Sequence, residues 1–152
     1  MRPTVLLLSV VLLSAAQKPE EPKVFDPALV EMKPFVADPK DDEMHKLLKE
    51  RFNAALGETQ AMYKRAVNGI SSYESLFDAA NRMKHSGLEA FDDPKDKIAL
   101  LEKFIELAKH VEKIAEVREK NGRIGAEELY RMKYCRADAE IALLRLKNEK
   151  PK

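Results

Sequence analysis

One short phrase occurs twice in this chain, and its recurrence limits the possible folds more than any other feature. Asn68-Gly69-Ile70-Ser71-Ser72-Tyr73-Glu74-Ser75-Leu76 is echoed by Asn121-Gly122-Arg123-Ile124-Gly125-Ala126-Glu127-Glu128-Leu129, at an offset of 53 residues (122 − 69). The alignment pairs Asn68 with Asn121, Glu74 with Glu127 and Leu76 with Leu129. Both copies lie between long amphipathic stretches. Each therefore reads as the turn of an αα-hairpin, in which Gly follows the last helical residue and accepts a left-handed conformation. The phrase predicts an all-α chain of two antiparallel hairpins.

Helical periodicity fills in the four rods. Leu48, Phe52, Ala55, Thr59, Met62 and Ala66 step alternately by four and three, a heptad-like seam for the first helix. Asp41, Asp42 and Glu43 supply negative charge at its start, where the helix dipole favours it. The second helix runs through Tyr73, Leu76, Ala80, Met83, Gly87 and Phe91, and Ser71 with Glu74 has capping-box spacing at its start. Asp93-Pro94 opens the third as an acidic N-cap followed by Pro at the first helical position. Its seam is Leu100, Phe104, Leu107, Val111 and Ile114, broadened by Leu101, Ile105, Ala108 and Ala115. Gly125 and Glu128 open the fourth, where Ile124 is placed to staple onto Leu129; Met132, Cys135, Ala139, Ala142, Leu143 and Leu146 continue it. Connections this short force antiparallel neighbours. The expected domain spans 41–148, as an up-down-up-down four-helix bundle or as extended coiled-coil hairpins.

The residues ahead of the helices are of another kind. Arg2, an apolar run from Val5 to Leu13 broken only by Ser9, and Ser14-Ala15-Ala16 have the layout of a secretory signal peptide cleaved before Gln17. The run is too short to cross the roughly 30 Å of a bilayer's hydrocarbon. Export to the periplasm or the extracellular space is the expectation, with no stable membrane insertion after cleavage. Residues 17–40 hold Pro19, Pro22, Pro27, Pro34 and Pro39, which exclude a helix and predict an extended leader. Phe25, Leu29, Val30, Phe35 and Val36 make that leader more apolar than a plain linker, suited either to lying along the bundle or to engaging a partner.

Without Arg2, 26 basic residues (27 − 1) balance 26 acidic ones. A net charge of zero argues against a nucleic-acid or anionic-membrane partner, either of which needs a basic patch. Cys135 is the sole cysteine, so no intramolecular disulfide forms. Its place in the apolar stripe of the fourth helix marks it as a core residue.

The phrase from Glu116 to Leu129, followed by Ala137, Ala139-Glu140 and Leu143-Leu144, resembles the helix–Gly–turn–helix pattern of the outer-membrane efflux channel (TolC-like) family. Tyr63 to Leu76 resembles it more weakly, and together the matches cover most of residues 44–147. Members of that family carry membrane-barrel strands between their hairpins, and no segment here alternates as a strand would. The resemblance therefore implies helix–helix association in the periplasm and not a channel.

Motifs for chemistry are sparse. A ferritin-like di-metal centre needs two Glu-x-x-His pairs, and Asp42-x-x-His45 is the nearest spacing, once only. Glu102, Glu106 and His110 share one face of the third helix and are weak candidates for a metal site, against the plainer reading of a solvated, ion-paired face. No His-Glu-x-x-His, haem-attachment or Gly-x-Ser-x-Gly motif occurs. Tyr63, Tyr73, Tyr130 and Tyr134 flank the two turns, as a stacking patch or as packing across the hairpin ends. The expectation is a protein without catalytic activity or cofactor that binds or scaffolds through helix–helix packing with a partner or itself. The alternative is a small-ligand or metal-binding four-helix bundle.

Overall fold

The computed structural model describes residues 30–36 and 38–149. The expected signal peptide, Phe25, Leu29 and the first part of the leader lie outside them. Four helices follow one another: α1 (Glu43–Val67), α2 (Tyr73–Ala90), α3 (Pro94–Lys120) and α4 (Ala126–Asn148). No strand occurs among the described residues.

The two repeated phrases make the same turn. Asn68 and Asn121 are the C-caps, each at φ −90° and ψ 5°. Gly69 and Gly122 follow at φ +70° and +65°. In the first turn Ile70 N–H donates to the Arg65 carbonyl at 2.8 Å and Gly69 N–H to Ala66 at 3.0 Å. In the second, Arg123 N–H donates to Arg118 at 2.8 Å and Gly122 N–H to Glu119 at 2.8 Å. Both are Schellman motifs, which satisfy helix carbonyls that would otherwise lack donors. The offset of 53 carries the end of α1 (Val67) onto the end of α3 (Lys120), and the start of α2 (Tyr73) onto the start of α4 (Ala126).

The helix starts follow the sequence with one shift. Asp42 caps α1, accepting from His45 N–H at 2.8 Å, and Asp93 caps α3, accepting from Lys95 N–H at 2.8 Å. The cap of α2 is Ser72 and not Ser71: Ser72 Oγ accepts from Ser75 N–H at 3.2 Å. Glu74 is thereby one position too early to reach back to the cap. It faces α3 instead, where its carboxylate pairs with Arg118 at 2.9 Å.

α1 packs on α2 and α3 packs on α4 as antiparallel hairpins, and α2 packs on α3 to join them. α1 and α4 share no comparable packing, so the edge that would close a square bundle stays open. α2 must then meet neighbours on several sides. Its buried residues include Ala79, Ala80, Ser86, Gly87 and Ala90, small side chains that let helix backbones approach. One core cluster runs through all four helices, from Phe52 and Leu56 through Leu76, Met83 and Phe104 to Leu129, Met132 and Ala139. Phe77 of α2 meets Phe104 of α3 at a ring separation of 5.8 Å.

The end of the leader belongs to this core. Asn53 on α1 holds the Phe35 backbone from both sides, accepting from its N–H at 2.7 Å and donating to its carbonyl at 2.9 Å. Gln60 donates to the Val30 carbonyl at 2.9 Å. Phe35 so held packs its ring against Phe52 and Phe91, at 5.2 and 5.0 Å. Val36, its neighbour, faces solvent. Of the two apolar leader residues in question, Phe35 lies along the helices and Val36 does not.

The glycines divide into three cases, and stability measurements should separate them. Gly69→Ala and Gly122→Ala place a side chain at positive φ with nothing within 4 Å, so each should cost about 1 kcal/mol from backbone conformation alone. Gly57→Ala, inside α1 and equally open, should stabilise by up to about 1 kcal/mol. Gly87→Ala, at a site where helix propensity alone favours the change, should destabilise. A Cβ there would lie 2.5 Å from Leu100 Cδ2 and 3.1 Å from Phe52 Cε2. Crowding in a filled core costs about 1–3 kcal/mol and outweighs the propensity gain. Denaturant midpoints for the four variants test this order; a stabilising Gly87→Ala would mean that α1, α2 and α3 do not meet there.

Candidate interaction surface

The third-helix metal candidates do not come together. Among the described residues no three His, Cys, Asp or Glu side chains form a group able to hold a metal ion. Glu102 is paired with Lys147 of α4 at 2.7 Å, and Glu106 is exposed. His110 is half-buried, and burial pushes its pKa down, with the nearby charge of Lys113 adding to the effect. Asp42 and His45 form the cap of α1, where the carboxylate also meets His45 Nδ1 at 2.8 Å and raises the histidine pKa. The Glu102–Lys147 pair joins α3 to α4, and Asp42 with His45 closes the first turn of α1.

A groove of about 390 Å³ runs between α1 and α2, with Ala54, Ala55 and Ser86 among its lining. Its polar walls are committed to each other: Arg51 pairs with Glu89 at 2.8 Å and Arg82 with Glu58 at 2.6 Å. Cys135 packs half-buried against the core, and burial pushes its thiol pKa up, away from the reactive thiolate. The four tyrosines separate. Tyr63 and Tyr73 pack on the core beside the first turn, whereas Tyr130 and Tyr134 are 68% and 74% exposed.

Those two exposed tyrosines begin a stripe that the core pattern hides. Tyr130, Tyr134, Ala137, Ile141 and Leu144 step by 4, 3, 4 and 3 along α4, and all five are exposed, Ile141 at 49% and Leu144 at 59%. At 100° per residue they fall within about 40° of one direction. The buried residues of α4, Leu129, Met132 and Ala139, centre roughly on the opposite side. α4 is apolar on two faces, and only one is covered. A shallow depression lined by Ile141, Leu144, Arg145, Asn148 and Glu149 continues the stripe to the end of the helix.

The internal repeat shows what such a face does when covered. Shifted by 53 residues, the stripe falls on Phe77, Asn81, Lys84, Leu88 and Phe91 of α2. Phe77 there packs on Phe104 of α3, and the Lys84 ammonium sits 5.0 Å over the same ring. In the first hairpin this face receives a helix; in the second it is bare. In the sequence the stripe is masked because Tyr130 and Tyr134 lie near the turn and Leu129, Met132 and Ala139 already supply an apolar seam. The alternation by four and three was the signal available.

No protein-family model, curated protein or solved structure matches the chain.

Proposed function

We propose that this protein is an exported, non-enzymatic helical-hairpin protein that acts by helix–helix association, and that the outer face of α4 is its docking surface. The observation that carries the reading is the bare stripe Tyr130, Tyr134, Ala137, Ile141 and Leu144. Contiguous apolar patches on a monomer's surface mark interaction sites, and a heptad-spaced patch on a helix fits another helix. The resemblance of the turns to efflux-channel hairpins points the same way, toward association of helices in an exported protein.

The test is a photo-reactive phenylalanine analogue placed at Tyr134 in cells that produce the protein. Irradiation should give a covalent protein adduct, which Ile141→Glu together with Leu144→Glu should abolish. If no adduct forms at position 134, α4 docks nothing and the reading fails.

A further inference from the structure

We infer that the occupant of the α4 face is a second copy of this chain, docked as a parallel, in-register pair of α4 helices; the inference rests on the docking reading above. The steps of four and three place Tyr130, Ala137 and Leu144 at d positions and Tyr134 and Ile141 at a positions of a heptad. The residues flanking the seam are then Lys133, Glu140 and Lys147 on one side and Arg131, Asp138 and Arg145 on the other.

Their charges, together with the number of layers covered, choose the orientation. In a parallel in-register pair, each g position faces the following e position of the partner. Lys133 then meets Asp138 of the second copy and Glu140 meets Arg145, each contact occurring twice by symmetry. An antiparallel pair covers only four of the five stripe residues. With Tyr130 opposite Ile141 of the second copy the flanks attract but Leu144 is left bare, and with Tyr134 opposite Leu144 every sign reverses. Lys133 would face Lys147, Arg131 would face Arg145, and Glu140 and Asp138 would each face themselves. Like charges so placed oppose association.

Packing agrees with the charges. Ile141 at a and Leu144 at d are the combination that favours two parallel strands. Several of the flanking charges already bridge to the body of their own protomer: Lys133 to Glu116 at 3.2 Å, Asp138 to Lys84 at 3.1 Å and Glu140 to Lys109 at 3.6 Å. These contacts hold the flanks in place before a partner arrives. Because α4 is already folded on α3, pairing carries no cost of forming a helix, and this preorganisation favours a short seam. The layer at Ala137 is the weak one, since two small side chains would face each other.

Sedimentation equilibrium on the purified chain should show concentration-dependent mass rising to twice that of the monomer. Ile141→Glu with Leu144→Glu should raise the dissociation constant at least about 100-fold. Ala137→Leu, which fills the empty layer, should lower it about 10-fold, and this gain stands as the test if the double variant does not fold. Arg145→Glu should weaken the pair, whereas it would tighten an antiparallel one with Tyr134 opposite Leu144. With Cys135→Ser as background, Leu144→Cys should form a disulfide-linked dimer under mild oxidation. A dimer that cannot be linked at position 144 overturns the parallel register. A chain monomeric at every concentration, yet photo-linked through Tyr134 to another protein, overturns the second copy and leaves the docking reading standing. Failure of both measurements overturns both.

Discussion

Phe52→Ala is expected to cost about 3–5 kcal/mol, the loss typical of removing a buried aromatic ring. Phe52 is fully buried on α1, where its ring lies 5.2 Å from Phe35 and 5.2 Å from Phe91 and also borders the Gly87 backbone of α2. Its loss empties the point at which the leader, α1, α2 and α3 converge. Little can collapse into the space, because Leu100 is already fully buried and Gly87 has no side chain. The measurement is a chemical denaturation midpoint at unchanged slope. Phe35→Ala should cost clearly less, since Phe35 is half-buried and sits on a short strap. A neutral Phe35→Ala, with Phe52→Ala still severe, would show that the strap does not hold its place in solution.

The second large effect is an asymmetry within one ion pair. The Lys84 side chain is 1% exposed, while its partner Asp138 is 50% exposed. Asp138→Ala leaves an ammonium inside the protein without its carboxylate, and removing one partner of a buried pair costs about 3–5 kcal/mol. Half-exposure of Asp138 lets water take part of its place, so about 2–3 kcal/mol is expected. Lys84→Met should be near neutral or stabilising. It removes the buried charge, keeps the long side chain against Phe104 and leaves Asp138 to solvent. Equal losses from both substitutions would mean that the pair acts as a surface contact, and the burial of Lys84 would then be wrong.

The helices were legible in the chain because several local signals agreed at each boundary. Asp93-Pro94 and the two Asn-Gly pairs carry their conformation in two residues each, with no help from the rest of the fold. What was not legible depends on which faces meet. Lys84 looks like a surface residue until α4 supplies Asp138 and α3 supplies Phe104. Gly87 looks like a weak point in a helix until Leu100 and Phe52 are seen to fill the room beside it. On α4 the difficulty was a choice: two apolar faces compete for the core, and periodicity alone does not say which one wins. Leu129, Met132 and Ala139 win with Cys135, Ala142, Leu143 and Leu146 packed beside them, a longer apolar series than the five residues of the outer stripe.

The duplication leaves the molecule with unlike ends. A chain of stacked hairpins whose last face repeats its first junction could, in principle, add units without limit, and a head-to-tail contact that does not close gives fibres. Growth would require the outer face of α1 to be as receptive as the outer face of α4. The two faces differ: α1 exposes Met44 and Leu47 near its start and small residues, Ala54, Gly57 and Ala61, beyond them. The α4 face instead meets its own copy, and a face that pairs with itself is used up in both partners. Two copies joined through the same α4 face leave none of it free, so assembly stops at a pair.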